Sequence, residues 1–288
     1  FGSSSVARRM SQWLRFPAYA RAVHGVIWSF ARHHSRWPLV ASAALSAALV
    51  VWWPRGWLCA LLGRGGLSSE ANALRYAQLA EEHVLAAARV IAKAFVDEPM
   101  SRALGVGADD MFPVAVTEAR RCAAEGVGTV CLASSGAGAA DVVGVLISSD
   151  WSSPLSDVED GPDTSKFEPM FALLETLDER FVSSLPRPPR KRDFLHQFLL
   201  AVDPHFARRG IARTLIAANL SQARRLGFRG AVMQATGRFS QAAAKSNGYA
   251  VVAQSCGYEE FEFRGDKPFQ GLEKATGHSH VEALSMYL

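Results

Sequence analysis

The segment Pro204-His205-Phe206-Ala207-Arg208-Arg209-Gly210-Ile211-Ala212-Arg213 sets two adjacent arginines against a glycine, directly after the apolar run FLHQFLLAV (194–202) and directly before a helical pattern. A chain passing from a strand into a helix leaves the first amide N–H groups without intrahelical partners, and the helix dipole adds partial positive charge there. Gly210 lets the backbone approach a ligand with no Cβ in the way, and Arg208, Arg209 and Arg213 stand near enough to neutralise an anion. Phosphate binding is the chemistry such a segment offers. A solvated basic helix start has the same composition, so the segment by itself leaves both readings open.

Other chemistry-bearing residue types are sparse. Cys59, Cys122, Cys131 and Cys256 form no CxxC or other ligand pair, which indicates neither a disulfide framework nor a zinc site. Of the eight histidines only His278 and His280 share one face of a strand, and one such pair does not make a metal site. No metal is expected.

The elements that must position the arginine loop alternate between strand and helix periods. A strand is expected over 73–79, then a helix over 80–100 with Val84, Ala87, Val90, Ile91, Ala94 and Phe95 on one face; Pro99 ends it and leaves Asp97-Glu98 in its last turn. A second helix over 109–126 precedes apolar strands 129–135 and 141–151, joined by the hairpin signal GAGAA. After a polar loop (152–166), a helix over 166–182 and a stiff basic connector (185–192), the run 194–202 reads as a strand buried on both faces. A helix to about Leu226, the strand GAVMQAT, a short helix FSQAAAKSN ended by Gly248, and the strand-like YAVVAQ, EEFEFRG and HVEALSMYL complete the chain. This order predicts a mixed α/β sheet of about seven strands with flanking helices.

Charge divides the chain. Residues 1–69 hold eight of the 31 basic residues, all arginine, with no acid before Glu70; residues 70–288 hold the other 23 against 27 acids, a net charge of −4. A basic amphipathic arm (1–36) therefore precedes a segment (37–62) built on the uncharged run Leu39 to Trp53, bounded by Trp37, Trp52 and Trp53. As helix, Trp37 to Trp53 spans roughly 24 Å, short of a hydrocarbon core unless it continues through Pro54 into WLCALLG. The flanking tryptophans and the arginines without acidic partners predict a single-pass transmembrane segment; a buried core helix is the alternative. The composition of the arm fits an organelle presequence or a surface helix, so a mitochondrial inner membrane or plastid membrane is expected, with the arm on the matrix, stroma or cytosol side. A Gly/Ser-bearing linker (63–72) leads into the body at 73–288.

Three motifs in order give the body a resemblance to the GCN5-related N-acetyltransferases (GNAT). The slots Ala207-Arg208-Arg209-Gly210-Ile211-Ala212 resemble that family's Q/R-x-x-G-x-G/A loop after the fourth strand, with alanine in the first slot. VDEPM (96–100) resembles the DEPL signature of the arylalkylamine and dopamine type, and Thr236-Gly237-Arg238-Phe239-Ser240 resembles that group's T/S-x-x-x-S segment. The tyrosine many other members use as general acid falls on Ala244, an absence the subgroup shares.

The resemblance implies a GNAT fold over about 73–288, with acetyl-CoA as acyl donor and no metal. By that carry-over Glu98 is the catalytic base, with Thr236 and Ser240 in the positions of the subgroup's two hydroxyl residues and Ser240 able to protonate the leaving thiolate. Leu200, Ala201 and Val202 would offer backbone groups to pantetheine, while Arg208, Arg209, Gly210, Ile211, Ala212 and Arg213 hold the pyrophosphate. Two function classes follow. One is a membrane-anchored N-acetyltransferase acting on a small amine or a protein amino group, in contact with membrane lipid. The other is a catalytically silent GNAT-fold accessory subunit of an organelle membrane complex, with other subunits as partners. No nucleic-acid partner is expected in either.

Overall fold

The computed structural model describes residues 74–134, 140–153 and 161–288. The arm (1–36), the expected membrane span (37–62) and the linker (63–72) lie outside the described residues, as does most of the GAGAA turn. Among the described residues no helix is long and apolar enough to cross a membrane.

Among the described residues eight strands make the sheet: β1 (Leu74–Gln78), β2 (Thr129–Ser134), β3 (Ala140–Asp150), β4 (Phe194–Val202), β5 (Gly230–Ala235), β6 (Ala250–Val251), β7 (Cys256–Gly257) and β8 (His280–Tyr287). The order is β1-β2-β3-β4-β5-β8-β6, with β7 also on β8, and β4–β5 is the parallel pair in an otherwise antiparallel sheet. Among the same residues seven α-helices flank it: α1 (Val84–Phe95), α2 (Pro99–Leu104), α3 (Ala108–Glu125), α4 (Glu168–Ser184), α5 (Ile211–Arg225), α6 (Arg238–Lys245) and α7 (Leu272–Thr276).

Where the structure departs from the sequence expectations, local chemistry explains it. The helix expected over 80–100 stops at Phe95, and Pro99 begins α2 instead of ending α1. Proline suits that first position, because its fixed φ is helical and its missing N–H has no intrahelical acceptor to lose. Glu98 thereby becomes the residue that caps α2. EEFEFRG (259–265) is turn apart from the isolated bridge Phe263–Asp266; Phe261 stacks on Phe269 at 5.7 Å, so its aromatics build a local cluster in place of a ladder. YAVVAQ is strand at Ala250 and Val251, with the Val252 N–H adding one bond to Ala283 O at 3.0 Å.

Strand β4 is not buried evenly on both faces as expected: Gln197, Leu199 and Ala201 are buried, while His196, Phe198, Leu200 and Val202 are half-buried. Its consecutive residues His196 and Gln197 point to opposite faces. His196 reaches Asp178 of α4 through Gln234, whereas Gln197 reaches Asn219 of α5, so α4 and α5 cover opposite faces. Helix α5 lies directly on the sheet: a Cβ on Gly144 of β3 would stand 2.9 Å from Ile211 Cγ2 and 3.2 Å from Leu215 Cδ1.

A buried polar network fastens α5 in that position. Asn219 Oδ1 accepts from Ser148 Oγ (3.0 Å) and Gln197 Nε2 (2.9 Å), and its amide donates to Val127 O (2.7 Å) and Thr129 Oγ1 (3.1 Å). Thr129 Oγ1 donates to Gln222 Oε1 at 3.1 Å, Gln222 Nε2 donates to Gly126 O at 2.6 Å, and the Tyr249 hydroxyl donates to Gln197 Oε1 at 2.7 Å. Because each member is satisfied, burial of these groups gives a single placement of α5 instead of a desolvation cost.

Candidate active site

Strand β4 pairs with β5 only through Phe194, Leu195 and His196, opposite Gly230, Ala231 and Val232. Immediately beyond, the β3–β4 register shifts, with Gln197 opposite Ser148 and Leu199 opposite Ile147, so Phe198 has no partner in β3. Such a bulge bends and twists its strand, and β4 leaves β5. The Asp203 N–H donates to Val143 O at 2.9 Å. Strand alternation then turns the backbone groups of Ala201 to β3 and those of Leu200 and Val202 to the edge that β5 no longer covers.

The chain leaves β4 through a short 3₁₀ turn, Pro204–Phe206, and enters α5 at Gly210. Asp203 Oδ1 accepts from the His205 N–H at 2.9 Å, and the carboxylate pairs with Lys93 Nζ of α1 at 2.9 Å, which ties the turn to α1. Arg208 holds φ 63° and Gly210 φ 75°. A left-handed arginine costs of order 1 kcal/mol that glycine avoids; left-handed residues of this kind recur in anion-binding nests. Ala207 N–H is used by Pro204 O, but among the described residues the N–H groups of Arg208, Arg209 and Gly210 have no protein acceptor. Arg208, Arg209 and Arg213 are exposed and pair with no carboxylate among the described residues; Arg209 stacks on Phe206 at 4.8 Å. Ile211 is buried under β3 and serves packing, and Ala212 is half-buried beside it.

A cavity of about 90 Å³ opens beside the gap, lined by Phe95, Met111, Phe167, Met170, Phe171 and other apolar groups. Its polar lining is Glu98, Gln197, Gln234, Thr236 and Ser240, and Leu200 also borders it. Ala201, Val202 and the loop 207–213 lie outside that lining, along the course of β4 and its exit.

Glu98 Oε2 accepts the Ser101 N–H at 2.8 Å, the N-cap of α2, while Glu98 Oε1 is buried with no hydrogen-bond partner among the described residues. Burial pushes this carboxyl above its ordinary range; the Ser101 backbone N–H and the nearby Thr236 hydroxyl pull the other way without cancelling the shift. Ser240 Oγ donates to Gly237 O at 2.8 Å and accepts from Gly237 N at 3.3 Å, closing the first turn of α6. In this state the Ser240 proton is committed to the backbone.

A second polar group borders the same cavity. Gln234 Nε2 donates to Asp178 Oδ1, and Gln234 Oε1 lies 2.7 Å from His196 Nε2. An amide oxygen only accepts, so His196 carries its proton on Nε2. Burial, reinforced by Glu175 and Glu179, pushes Asp178 up to about 8, with Gln234 opposing. Burial pushes His196 down to about 4, where it packs against Trp151 and Phe198.

No protein-family model and no curated protein sequence matches the chain. Solved structures do. Arylalkylamine N-acetyltransferase 2 from Aedes aegypti is 18% identical, covers 75% of this chain and 99% of its own, and superposes with a TM-score of 0.59. The C-terminal condensation domain of Ebony, in complex with β-alanyl-dopamine, is 15% identical over 75% of this chain and 100% of its own, with a TM-score of 0.61. Drosophila melanogaster polyamine N-acetyltransferase, which forms N-acetylagmatine, gives 15%, 75%, 100% and 0.55 in the same terms. The fold is the GNAT fold.

On the GNAT fold of this chain, Glu98, Leu200 and the Thr236–Ser240 segment, three stretches far apart in sequence, border one cavity. Ala244, in the slot many GNAT members give to tyrosine, is fully buried. Sequence reasoning passed over two tyrosines: Tyr249 on Gln197, and the fully buried Tyr258, whose hydroxyl donates to the Thr236 carbonyl near Glu98. It also passed over Asp178, His196 and Gln234. The one available signal was that Asp178 interrupts the apolar face of α4 and Gln234 an apolar strand. His278 and His280 serve other ends: His278 Nδ1 accepts the Arg238 N–H at 3.0 Å, and His280 Nε2 lies 3.3 Å from Glu282, which pairs with Lys245. Among the described residues no group of three or more His, Cys, Asp or Glu is placed to hold a metal ion.

A carboxyl that holds its proton more tightly folded than unfolded loses stability as pH rises from its unfolded value near 4, here toward about 8 for Asp178. Asp178→Asn keeps an oxygen for Gln234 and removes that titration. By scanning calorimetry its melting temperature is expected to exceed that of the unsubstituted protein at pH 8 and to match it near pH 4. Equal shifts at both pH values would contradict the burial of an ionisable Asp178.

Proposed function

We propose that this chain is an acetyl-CoA-dependent N-acetyltransferase that acylates a small amine. The observation that carries the reading is Glu98 Oε1: a buried carboxylate oxygen with no protein partner among the described residues, on the wall of a largely apolar cavity. Such an oxygen is placed to receive a proton or an ammonium N–H. The fold shared with amine acetyltransferases agrees with it.

The residues fit a coenzyme A thioester at two points. The uncovered edge of β4 at Leu200 and Val202 offers backbone donors and acceptors to an extended amide-bearing arm. The amides at 208–210 and the side chains of Arg208, Arg209 and Arg213, which among the described residues have no acceptor and no carboxylate partner respectively, suit a pyrophosphate at the N-terminus of α5. Since backbone amides form that cradle, Ala207 in the first slot costs it little. Bound there, acetyl-CoA supplies the acyl group as a thioester.

The remaining chemistry belongs to the chain. An amine attacks only when neutral, so Glu98, with its raised affinity for a proton, takes the ammonium proton at Oε1. Thr236, held through its carbonyl by Tyr258, keeps its hydroxyl beside that carboxyl. The apolar walls exclude water, which strengthens the interactions of Glu98 and orients the amine. Ser240 protonates the leaving sulfur only after its hydroxyl turns from Gly237 O.

We further propose, from the uncharged run at 39–53 and its tryptophan and arginine flanks, that segment 37–62 tethers the enzyme to an organelle membrane. The full chain is then expected in the pellet after alkaline carbonate extraction of organelles, and release to the supernatant would contradict the tether.

Glu98→Gln is expected to lower amine acetylation by at least roughly 100-fold, while leaving the dissociation constant for acetyl-CoA, measured by calorimetric titration, within a small factor. A rate within threefold of the unsubstituted enzyme would remove Glu98 as base. Failure of the unsubstituted protein to bind acetyl-CoA would overturn the reading as a whole.

A further inference from the structure

Besides Glu98, four polar side chains line the cavity; Gln197 is committed to Asn219 and Tyr249 and Ser240 to Gly237, which leaves Thr236 and Gln234 to meet an acceptor. Thr236, whose hydroxyl neighbours Glu98, directly follows β5, and Gln234 precedes it by two residues; at that spacing in extended chain the two side chains stand roughly 7 Å apart, and both line the cavity. Met170, Phe171 and Leu174 of α4 line the cavity on the side from which Asp178 meets Gln234. A free glutamine could present either end of its amide to a ligand. Gln234 cannot, because Asp178 takes one N–H and the His196 Nε2–H occupies one lone pair of Oε1. What remains is one N–H and one lone pair in a fixed orientation. The lock is built from four directions: Asp178 on α4, His196 on β4, and Trp151 and Phe198 packed against the imidazole. Apart from Gln234, no hydrogen-bond partner holds the Asp178 carboxyl among the described residues, and Arg180, two residues on, donates to Gln254 O and Ser255 O instead.

We propose that Gln234 is the specificity-determining residue of the acceptor pocket, held in register by Asp178 and His196, and that it selects amines bearing a hydrogen-bonding group at the far end of an apolar body. The proposal rests on the acetyl-transfer reading above. The body fills the space between Glu98 and Gln234, the amino group meets Glu98, and a hydroxyl some 7 Å away exchanges hydrogen bonds with the amide. An amine of the same shape without that hydroxyl leaves the remaining amide N–H desolvated and unpaired, the situation in which polar sites discriminate most. Asp178 and His196 touch no substrate in this account and act as positioning residues.

The test compares 4-hydroxyphenethylamine with phenethylamine as acceptors, by kcat/KM, in the full chain. The unsubstituted enzyme is expected to favour the hydroxylated amine roughly tenfold, the worth of one buried hydrogen bond. Gln234→Met should bring the ratio near one. Asp178→Ala, which frees the amide to turn, should lower the ratio as well, while Asp178→Asn, which keeps an acceptor for Gln234 Nε2, should restore it; a merely structural role for Asp178 would depress both amines alike and leave the ratio in place. Turnover of both amines at equal kcat/KM, unaltered in Gln234→Met, overturns this inference alone. Turnover of neither amine overturns the acetyl-transfer reading and this inference with it.

Discussion

The hydrogen bonds that β4 and β5 fail to make govern this molecule. Two parallel strands that begin in register at Phe194 and Gly230 would ordinarily continue pairing to their ends. The bulge at Phe198 turns β4 along β3, while β5 stays with β8 through six residue pairs. The strands separate, and a sheet that is continuous elsewhere opens at its centre. An open sheet centre carries unpaired backbone groups, which persist only where something else can satisfy them. The same opening gives the cavity its position.

Everything around that opening keeps it from closing or wandering. The network from Thr129 through Asn219 to Tyr249 pins α5 on one face, and through it the arginine loop at the exit of β4. On the other face Asp178, Gln234 and His196 join α4 to both diverging strands. Lys93 ties the loop to α1, and Pro99 starts α2 so that Glu98 arrives as a cap. The side chain of Glu98 is thus divided: one oxygen does the structural work of a cap and the other has no partner among the described residues. That division lets a buried acid be held rigidly and still accept a proton.

Much of this was legible in the sequence, and the rest was not, for physical reasons. Helix periods around α1, α3, α4 and α5, the apolar strand at 194–202 and the three motifs around Glu98, Gly210 and Thr236 are local patterns, and local patterns survive without knowledge of neighbours. The opening between β4 and β5 is not local. It depends on which strand pairs with β5, and β8 lies some fifty residues downstream. The Asp178–Gln234–His196 chain joins residues 56 and 38 positions apart, and nothing in their spacing announces it. The alternation of Phe261 and Phe263 with acids misled, because two-residue periodicity needs a free edge to pair with, and Phe269 claims Phe261 first. Pro99 misled by one step: a proline marks a helix boundary without saying which side of it the helix lies on.

On the acetyl-transfer reading proposed above, the uncovered edge of β4 receives the donor arm. Residue-resolved hydrogen exchange of 197–202, with and without acetyl-CoA, tests it most directly. The Leu200 and Val202 amides, which face the opening, are expected to gain protection of at least roughly tenfold on binding, while Ala201, already turned to β3, keeps its rate. Unchanged exchange at Leu200 and Val202 in the presence of saturating acetyl-CoA would contradict the account.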